Sequence, residues 1–597
     1  MEIMAVGLLA VALIAALNVV APRLGVAPQI ILVVAGAGMS FLPGADRMTL
    51  KPEVVMMGLL PLVLFASSLA LPTIEFRRDL AAIGGLSVVL VIDTAVALGW
   101  VIHLIVPGMP LAIGIALGAL ISPTDAAATG IVKRLGLSPR VLAILDGESL
   151  LNDASALVMM RASLAALATG FSLFGIARDF VWAVVGAVVI GFVIARIGLA
   201  VQHHVPNPAI ATVISLLVPF ASYLPADFVH ASGLVAVVAA GITTRLSVGR
   251  RLTATQRTTE NAIWHTIEFL AEGAVFLIMG WQIMGLLTHL NASQETLAMT
   301  LLVAAIAWGG ALAIRGGFIT GVVALADRSV ARKQARRDRW HERRRSAAEH
   351  RPDIAVDEDA HLSSTAALRR PSVRQLRANQ LATADAVELK HRFERLHTAL
   401  RRYSADIDYL LREPLHAREG VLLTWGGLRG VVTVAGAQTL PLDLPHRSLI
   451  VLAAFAVAVF SLLLQGLTLA PVARRLDVVD HDQTPVDEPA RLEADLKKAA
   501  LTALSTASRP NGQPFDPVLL NRYRARLTAS ADDGLSVGDD DAHAQFLELR
   551  LRTIAAQRDA VLRLRSVGAY TTATLLRALN RLDADEISIQ LTLAEDQ

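Results

Sequence analysis

The 597-residue sequence contains no cysteine, which excludes disulfides, thiolate catalysis and zinc–thiolate sites. Its net charge is only +3, too small for its length to build the concentrated basic face that nucleic acid requires, so no nucleic-acid partner is predicted. No basic stretch precedes the first apolar run, which begins at Ile3, and no small-residue cleavage site follows it. That run reads as a retained span, not a removed signal. The glycine pairs Gly84-Gly85 and Gly309-Gly310 lack a strand–turn–helix frame and read as packing sites. With no metal-ligand or nucleophile constellation either, the sequence predicts neither an enzyme nor a bound cofactor.

What the chain has is grease. Hydrophobic residues make up 54%, charged residues only 18%, and mean hydropathy is +0.52. The apolar residues come in runs long enough to cross a bilayer. The runs place spans at about 3–20, 27–42, 52–71, 79–105, 111–130, 139–162, 180–200, 207–223, 228–246, 260–288, 296–327, 419–440 and 447–472, thirteen in all. Arg23, Arg77, Arg78, Lys133, Arg134, Arg196, the Arg245/Arg250/Arg251 cluster, the 328–351 stretch, Arg474 and Arg475 fall on one side of this count. Loops 106–110, 224–227 and 289–295 contain no Lys or Arg and fall on the other. Arg47, Lys51, Arg161 and Arg178 run against the trend but are outnumbered. Basic loops stay cytoplasmic, so the amino terminus is expected outside and the carboxyl terminus in the cytoplasm.

The predicted organisation is a membrane transporter domain over 1–327, a hydrophilic insert over 328–418, two further spans over 419–474, and a helical cytoplasmic region over 475–597. The insert opens with a basic run over 328–345 suited to anionic lipid headgroups. An Asp353/Asp357/Glu358/Asp359 patch follows, then a segment with helical periodicity from Leu389 to Leu411. The final region carries amphipathic helices such as Ala490 to Leu504, Ala544 to Arg565 and Thr571 to Asp583. For both regions a structural or dimer-supporting role stands beside a regulatory one, its ligand or partner unknown.

Carboxylates inside the apolar part point to an ion or proton path. Pro123, within the sequence Ser122, Pro123, Thr124, Asp125, removes an amide from the middle of a span and is expected to open the helix around Ser122 to Asp125. Freed backbone groups in a membrane interior persist only where they line a cavity or bind something. The Thr124 hydroxyl and carbonyl and the Asp125 carboxylate are hard oxygen ligands suited to a small alkali cation. Further along, Glu148, Asn152 and Ser155 share one helical face, while Asp153 lies about 100° further round. Out of water, Asp153 accommodates a proton or a cation but not comfortably both. That exclusion is a mechanism of exchange.

Arg315, deep in the eleventh span, cannot shed its proton and is expected to pair with Glu148. Arg429 poses the same question, with Asp125 or the carbonyl ends of a broken helix as counterparts. Glu75 reads either as a cation-entry group or as an interfacial charge beside Arg77. Glu268 and Glu272 belong to the path or to interhelical contacts, Asp93 is assigned to packing, and His265 is a poor basis for a pH sensor.

The motifs Ile121 to Asp125, Gly147 to Asp153, Glu272 through Phe276 to Gly280, Ile314-Arg315 and Gly426 to Gly430 resemble the bacterial sodium/proton antiporters of the NhaP type, relatives of the animal sodium/proton exchangers. The resemblance extends over about 1–330 and 419–475. It implies an all-α polytopic fold with inverted repeats and two crossing broken helices, a homodimer, and a place in the bacterial inner membrane. It also implies that Asp153 is the exchange site supported by Asn152, that Ser149, Thr124 and Asp125 bind the cation, and that Glu148 and Arg315 form a structural pair. Electrogenic relatives carry two adjacent aspartates, so the Asn152-Asp153 pair implies one cation per proton.

The expected function is antiport of sodium and protons by alternating access. A potassium/proton or mixed antiporter is the alternative within the class, because oxygen ligands alone do not fix selectivity. A cation channel is the alternative outside it; it would need a continuous hydrated path.

Overall fold

The computed structural model describes residues 2–24, 26–41, 53–125, 127–169, 173–283, 285, 297–350, 402–478, 487–505, 507–509, 513–529 and 540–595. The described regular structure is helical throughout. Among the described residues, seven helices are long and apolar enough to cross a membrane, and five shorter apolar helices accompany them. Together with the interrupted Ala417–Trp425 and Val431–Gln438 element, they account for all thirteen expected spans.

Local chemistry sets many of the boundaries. Pro28, Pro139 and Pro208 open their helices at the position where a missing amide costs nothing. The Ala254–Trp281 helix starts at a capping box in which Thr253 and Gln256 each accept the other's backbone N–H. Gly36 and Gly280 let the Pro28–Ser40 and Ala254–Trp281 helices touch backbone to backbone; a Cβ at Gly280 would meet the carbonyl of Val33.

One arrangement occurs twice. The first broken helix, Leu111–Ile121 and Ala127–Arg134, lies between the long helices Leu80–Ile105 and Pro139–Thr169. The second, Ala417–Trp425 and Val431–Gln438, lies between Leu297–His350 and Arg447–Arg475. Four spans lie between the two sets, so each helix of the second set follows its counterpart by seven spans, an odd offset, and runs through the membrane in the opposite sense. This is an inverted repeat of the kind that places a site at the membrane middle.

Some expectations change. The helix that carries Arg315 does not stop at 327 but runs to His350, 54 residues in one piece, or roughly 80 Å. No glycine or proline interrupts 328–350, and its alanines, arginines and glutamates are good helix formers. Asp93 does not pack inside; it is exposed on the Leu80–Ile105 helix, as is His265 on Ala254–Trp281. The Asp353–Asp359 acidic patch, the first part of the 389–411 segment, Arg47 and Lys51 lie outside the described residues.

The expected amphipathic helices lie within Asp487–Ser505, Asp540–Val567 and Thr572–Glu595, with Pro517–Ala529 beside them. Their apolar faces bury Leu492, Leu547, Val561, Leu575 and Ile589 in a core of their own. Into that core the membrane part inserts Ile74, from the short Thr73–Arg78 helix that joins two spans. Polar bonds frame the insertion. Arg78 donates to the carbonyl of Gly568 at 2.7 Å, and Arg257 grips Asp583 through two nitrogens at 2.5 and 3.0 Å. On the same side, Arg140 and Asp79 form a buried pair at 2.9 Å, and Arg140 also donates to the carbonyl of Glu413 beyond the helix over 402–412.

Candidate cation-binding site

The two broken helices meet at their breaks. The helix is interrupted after Ser122, where Pro123 has no amide to donate, and the backbone N–H of Asp125 donates to the carbonyl of Leu428 in the other break at 2.6 Å. In return the Asp125 carboxylate accepts the N–H of Val431 at 3.3 Å. Gly430 makes this crossing possible, since a Cβ there would coincide with the Asp125 side chain. Arg429, 1% exposed, donates to the carbonyls of Ile121 and Gly427. The carbonyl ends of the broken helix, one of the two counterparts expected from the sequence, thus accept from Arg429.

Beside the crossing, the Pro139–Thr169 helix presents its carboxylates. Glu148 and Arg315 are each 1% exposed and joined by two contacts, one of them 2.9 Å from the second guanidinium nitrogen to Oε2. Arg315 also donates to the carbonyl of Leu423, within the second broken helix, at 2.8 and 3.0 Å. Thr124 donates to Glu148 at 3.1 Å and receives the Asn152 amide at 2.8 Å. Asn152 thus fixes Thr124, which in turn is fixed by a neutralised glutamate.

Asp153 is placed differently. Its helical turn away from the Glu148 face points it into a cavity of about 200 Å³ that is also lined by Thr124, Asp125 and Ser149. Asp153 is buried, and among the described residues no hydrogen bond or ion pair to its carboxylate is found. Ser149 donates to the carbonyl of Asp146 at 3.2 Å, leaving its oxygen lone pairs available. A carboxylate with adjacent hydroxyls and no protein cation can bind a proton or a small cation. No cluster of three or more His, Asp or Glu side chains suited to holding a metal ion occurs among the described residues.

Glu75 does not join the cavity. The chain turns at Leu71 and Pro72 before it, and both its carboxylate oxygens are taken by Thr572 of the tail, from the N–H at 2.8 Å and the hydroxyl at 2.5 Å. The opposite wall supplies other groups: Glu268 accepts from Ser67 at 3.2 Å, and Glu272 from Gln29 at 2.9 Å. Lys133 and Asp146, paired at 3.2 Å, also line it. Gln29 and Ser67 were missed in the sequence, where the only signal was a polar residue in an apolar run.

Comparison with known proteins gives the family. The chain matches the family described as sodium/hydrogen exchanger, transmembrane, over residues 9–326 and 397–475. It is 28% identical to an uncharacterized Na(+)/H(+) exchanger of Escherichia coli, YjcE, across 89% of this chain and 88% of that one. It is 33% identical to the sodium, potassium, lithium and rubidium/H(+) antiporter of Bacillus subtilis across 47% of this chain and 44% of that one. In fold it is similar to the sodium proton antiporter MjNhaP1 of Methanocaldococcus jannaschii, with a TM-score of 0.52 and 17% identity, covering 80% of this chain and 99% of that one. The chain is a bacterial multi-pass membrane protein that belongs to the sodium/hydrogen exchanger family, a secondary active antiporter of monovalent cations and protons.

Proposed function

We propose that this antiporter exchanges one sodium ion for one proton at Asp153. The observation that carries the reading is the contrast between two acids on one helix: Glu148 is neutralised by Arg315, whereas Asp153 faces the cavity beside Thr124, Asp125 and Ser149 without a protein cation. Asn152 orients Thr124, and Asp125 with Arg429 holds the crossing of the two breaks. With a neutral Asn152 next to it, Asp153 is the single charge exchanged, so proton and sodium each cancel it in turn and the cycle moves no net charge.

The working unit is a homodimer with its amino terminus outside and its carboxyl terminus in the cytoplasm, as the distribution of Lys and Arg between loops supports. A proton from outside neutralises Asp153, the two broken helices and their flanking helices move together, and the proton is released inside. Sodium then takes its place on Asp153, Ser149 and Thr124, and the neutral site returns.

The test is sodium-driven dequenching of a pH-sensitive dye in proteoliposomes, with wild type and Asp153→Asn compared in sodium, potassium and lithium and with the membrane potential clamped or free. The expected result is exchange that is insensitive to potential and absent in the variant. Exchange retained by Asp153→Asn rejects the site, a signal with potassium alone replaces sodium, and a potential-driven signal rejects one-for-one stoichiometry.

A further inference from the structure

The hydroxyl of Thr433 departs from a pattern that several span threonines keep, as do the hydroxyls of Thr129 and Thr244. Thr320, Thr424 and Thr468 each donate to the carbonyl four residues earlier, at 2.7, 2.8 and 2.5 Å, which is how a hydroxyl is satisfied in a helix. Four residues before Thr433 stands Arg429, on the far side of the break, and Gly430 between them is extended at φ −125° and ψ −154°. The usual acceptor is therefore not in line. Thr433 is 1% exposed, and its Oγ1 has no hydrogen-bond partner among the described residues. A buried hydroxyl without a partner is costly, and this one lies in the wall of the cavity that holds Asp153.

The same cavity is walled by Glu272, from the Ala254–Trp281 helix. One oxygen of its carboxylate accepts from Gln29, and the other accepts no hydrogen bond among the described residues. The two helices lie side by side, joined near their ends where Gln438 donates to Gln282 at 2.6 Å. A carboxylate oxygen and a hydroxyl oxygen, neither receiving a hydrogen bond among the described residues, thus border the same cavity. Neither belongs to the Asp153, Ser149 and Thr124 set.

We infer that Glu272 and Thr433 form a second binding position for a partly hydrated monovalent cation, which the ion occupies before it reaches Asp153. Their oxygens are hard donors suited to an alkali ion, and Gln29 holds the carboxylate in place. Because Glu272 stands outside the two three-helix sets and Thr433 within one, this position exists only in the arrangement seen here, with the second broken helix against the Ala254–Trp281 helix. It loads the site on one side of the cycle. The inference rests on the exchange reading above.

The test uses the full chain in proteoliposomes and, separately, sodium-dependent thermal stabilisation of the purified protein. Glu272→Gln is expected to raise the apparent KM for sodium by about 5–10-fold while the maximal rate falls by less than about twofold, the pattern of lost loading. Thr433→Val is expected to raise KM by about threefold and to change the order of preference among lithium, sodium and potassium, with Thr433→Ser restoring both. The sodium concentration for half-maximal stabilisation should rise in parallel. Thr320→Val, whose hydroxyl serves only its own helix, is the control. Unaltered KM and unaltered sodium stabilisation in both variants overturn the inference, as does a parallel loss of rate and of sodium-free stability, which marks a structural role. Asp153→Asn separates the two readings: exchange surviving there strikes the Asp153 assignment, whereas its loss beside unaltered Glu272→Gln and Thr433→Val strikes only the second position.

Discussion

Arg315 reaches Glu148 from another span and closes on both carboxylate oxygens while also holding the Leu423 carbonyl. The pair ties the helix that carries Asp153 to the second broken helix, with each partner 1% exposed. Removing either partner leaves a bare charge in a dry interior. Glu148→Ala and Arg315→Ala are each expected to destabilise the protein by about 3–5 kcal/mol, seen as a lower midpoint of thermal unfolding in detergent. Arg315→Lys should rescue little, because an ammonium cannot match the two-pronged contact. Wild-type-like unfolding of Arg315→Ala would show that the pair contributes only geometry.

Gly430 sits where a side chain would displace the Asp125 carboxylate. Gly430→Ala is therefore expected to abolish exchange by pushing apart the two breaks, while Gly58→Ala, with nothing within 4 Å of its Cβ, should be silent. Dye dequenching in proteoliposomes checks both. Wild-type transport by Gly430→Ala would mean that the crossing tolerates more room than the contacts allow.

Competition for one carboxylate has a sign that can be checked. A protonated Asp153 cannot take sodium, so lowering the pH on the cation-loading side should raise the apparent KM for sodium, approaching about tenfold per pH unit at the acid end, with the maximal rate at saturating sodium little changed. Initial rates over a matrix of pH and sodium concentration decide the point. A KM independent of pH is incompatible with a shared site.

At the junction with the tail, Asp583 serves two arginines, Arg257 at 2.5 Å and Arg558 at 2.9 Å. Asp583→Ala is expected to release the tail more than Arg257→Ala does, because the latter leaves Asp583 one partner and the former leaves Arg257 with only the Leu252 carbonyl. Limited proteolysis, read as the time course of tail cleavage, orders the variants. Equal rates would mean that the buried apolar face around Ile74 does the holding alone.

The spans were legible in the sequence because bilayer length is a strong one-dimensional signal, and isolated charge in an apolar run singled out Asp153, which the structure places in the cavity wall. Glu148 and Arg315 could be matched across 167 positions because each is an extreme outlier in its own apolar run. Glu75 shows where such reasoning ends: the same rarity suggested cation entry, but its partner is a threonine with nothing unusual about it, in a segment whose docking no local pattern reveals. Gln29 and Thr433 were invisible for the opposite reason, since an amide or hydroxyl in a span is common and gains meaning only from the space it faces. The long helix through 328–350 was hidden by polarity, which marks the end of the membrane but not the end of the helix.

The bonds between Glu75 and Thr572 connect residues 497 positions apart. At typical synthesis rates of about 5–20 residues per second, the carboxylate is made roughly 25–100 s before the hydroxyl that will cover it. Through that interval the first spans are already in place while Glu75 still has only water to satisfy it. The membrane part must therefore tolerate an open, wet joint between its third and fourth spans, and closing that joint is among the last events in the maturation of each molecule.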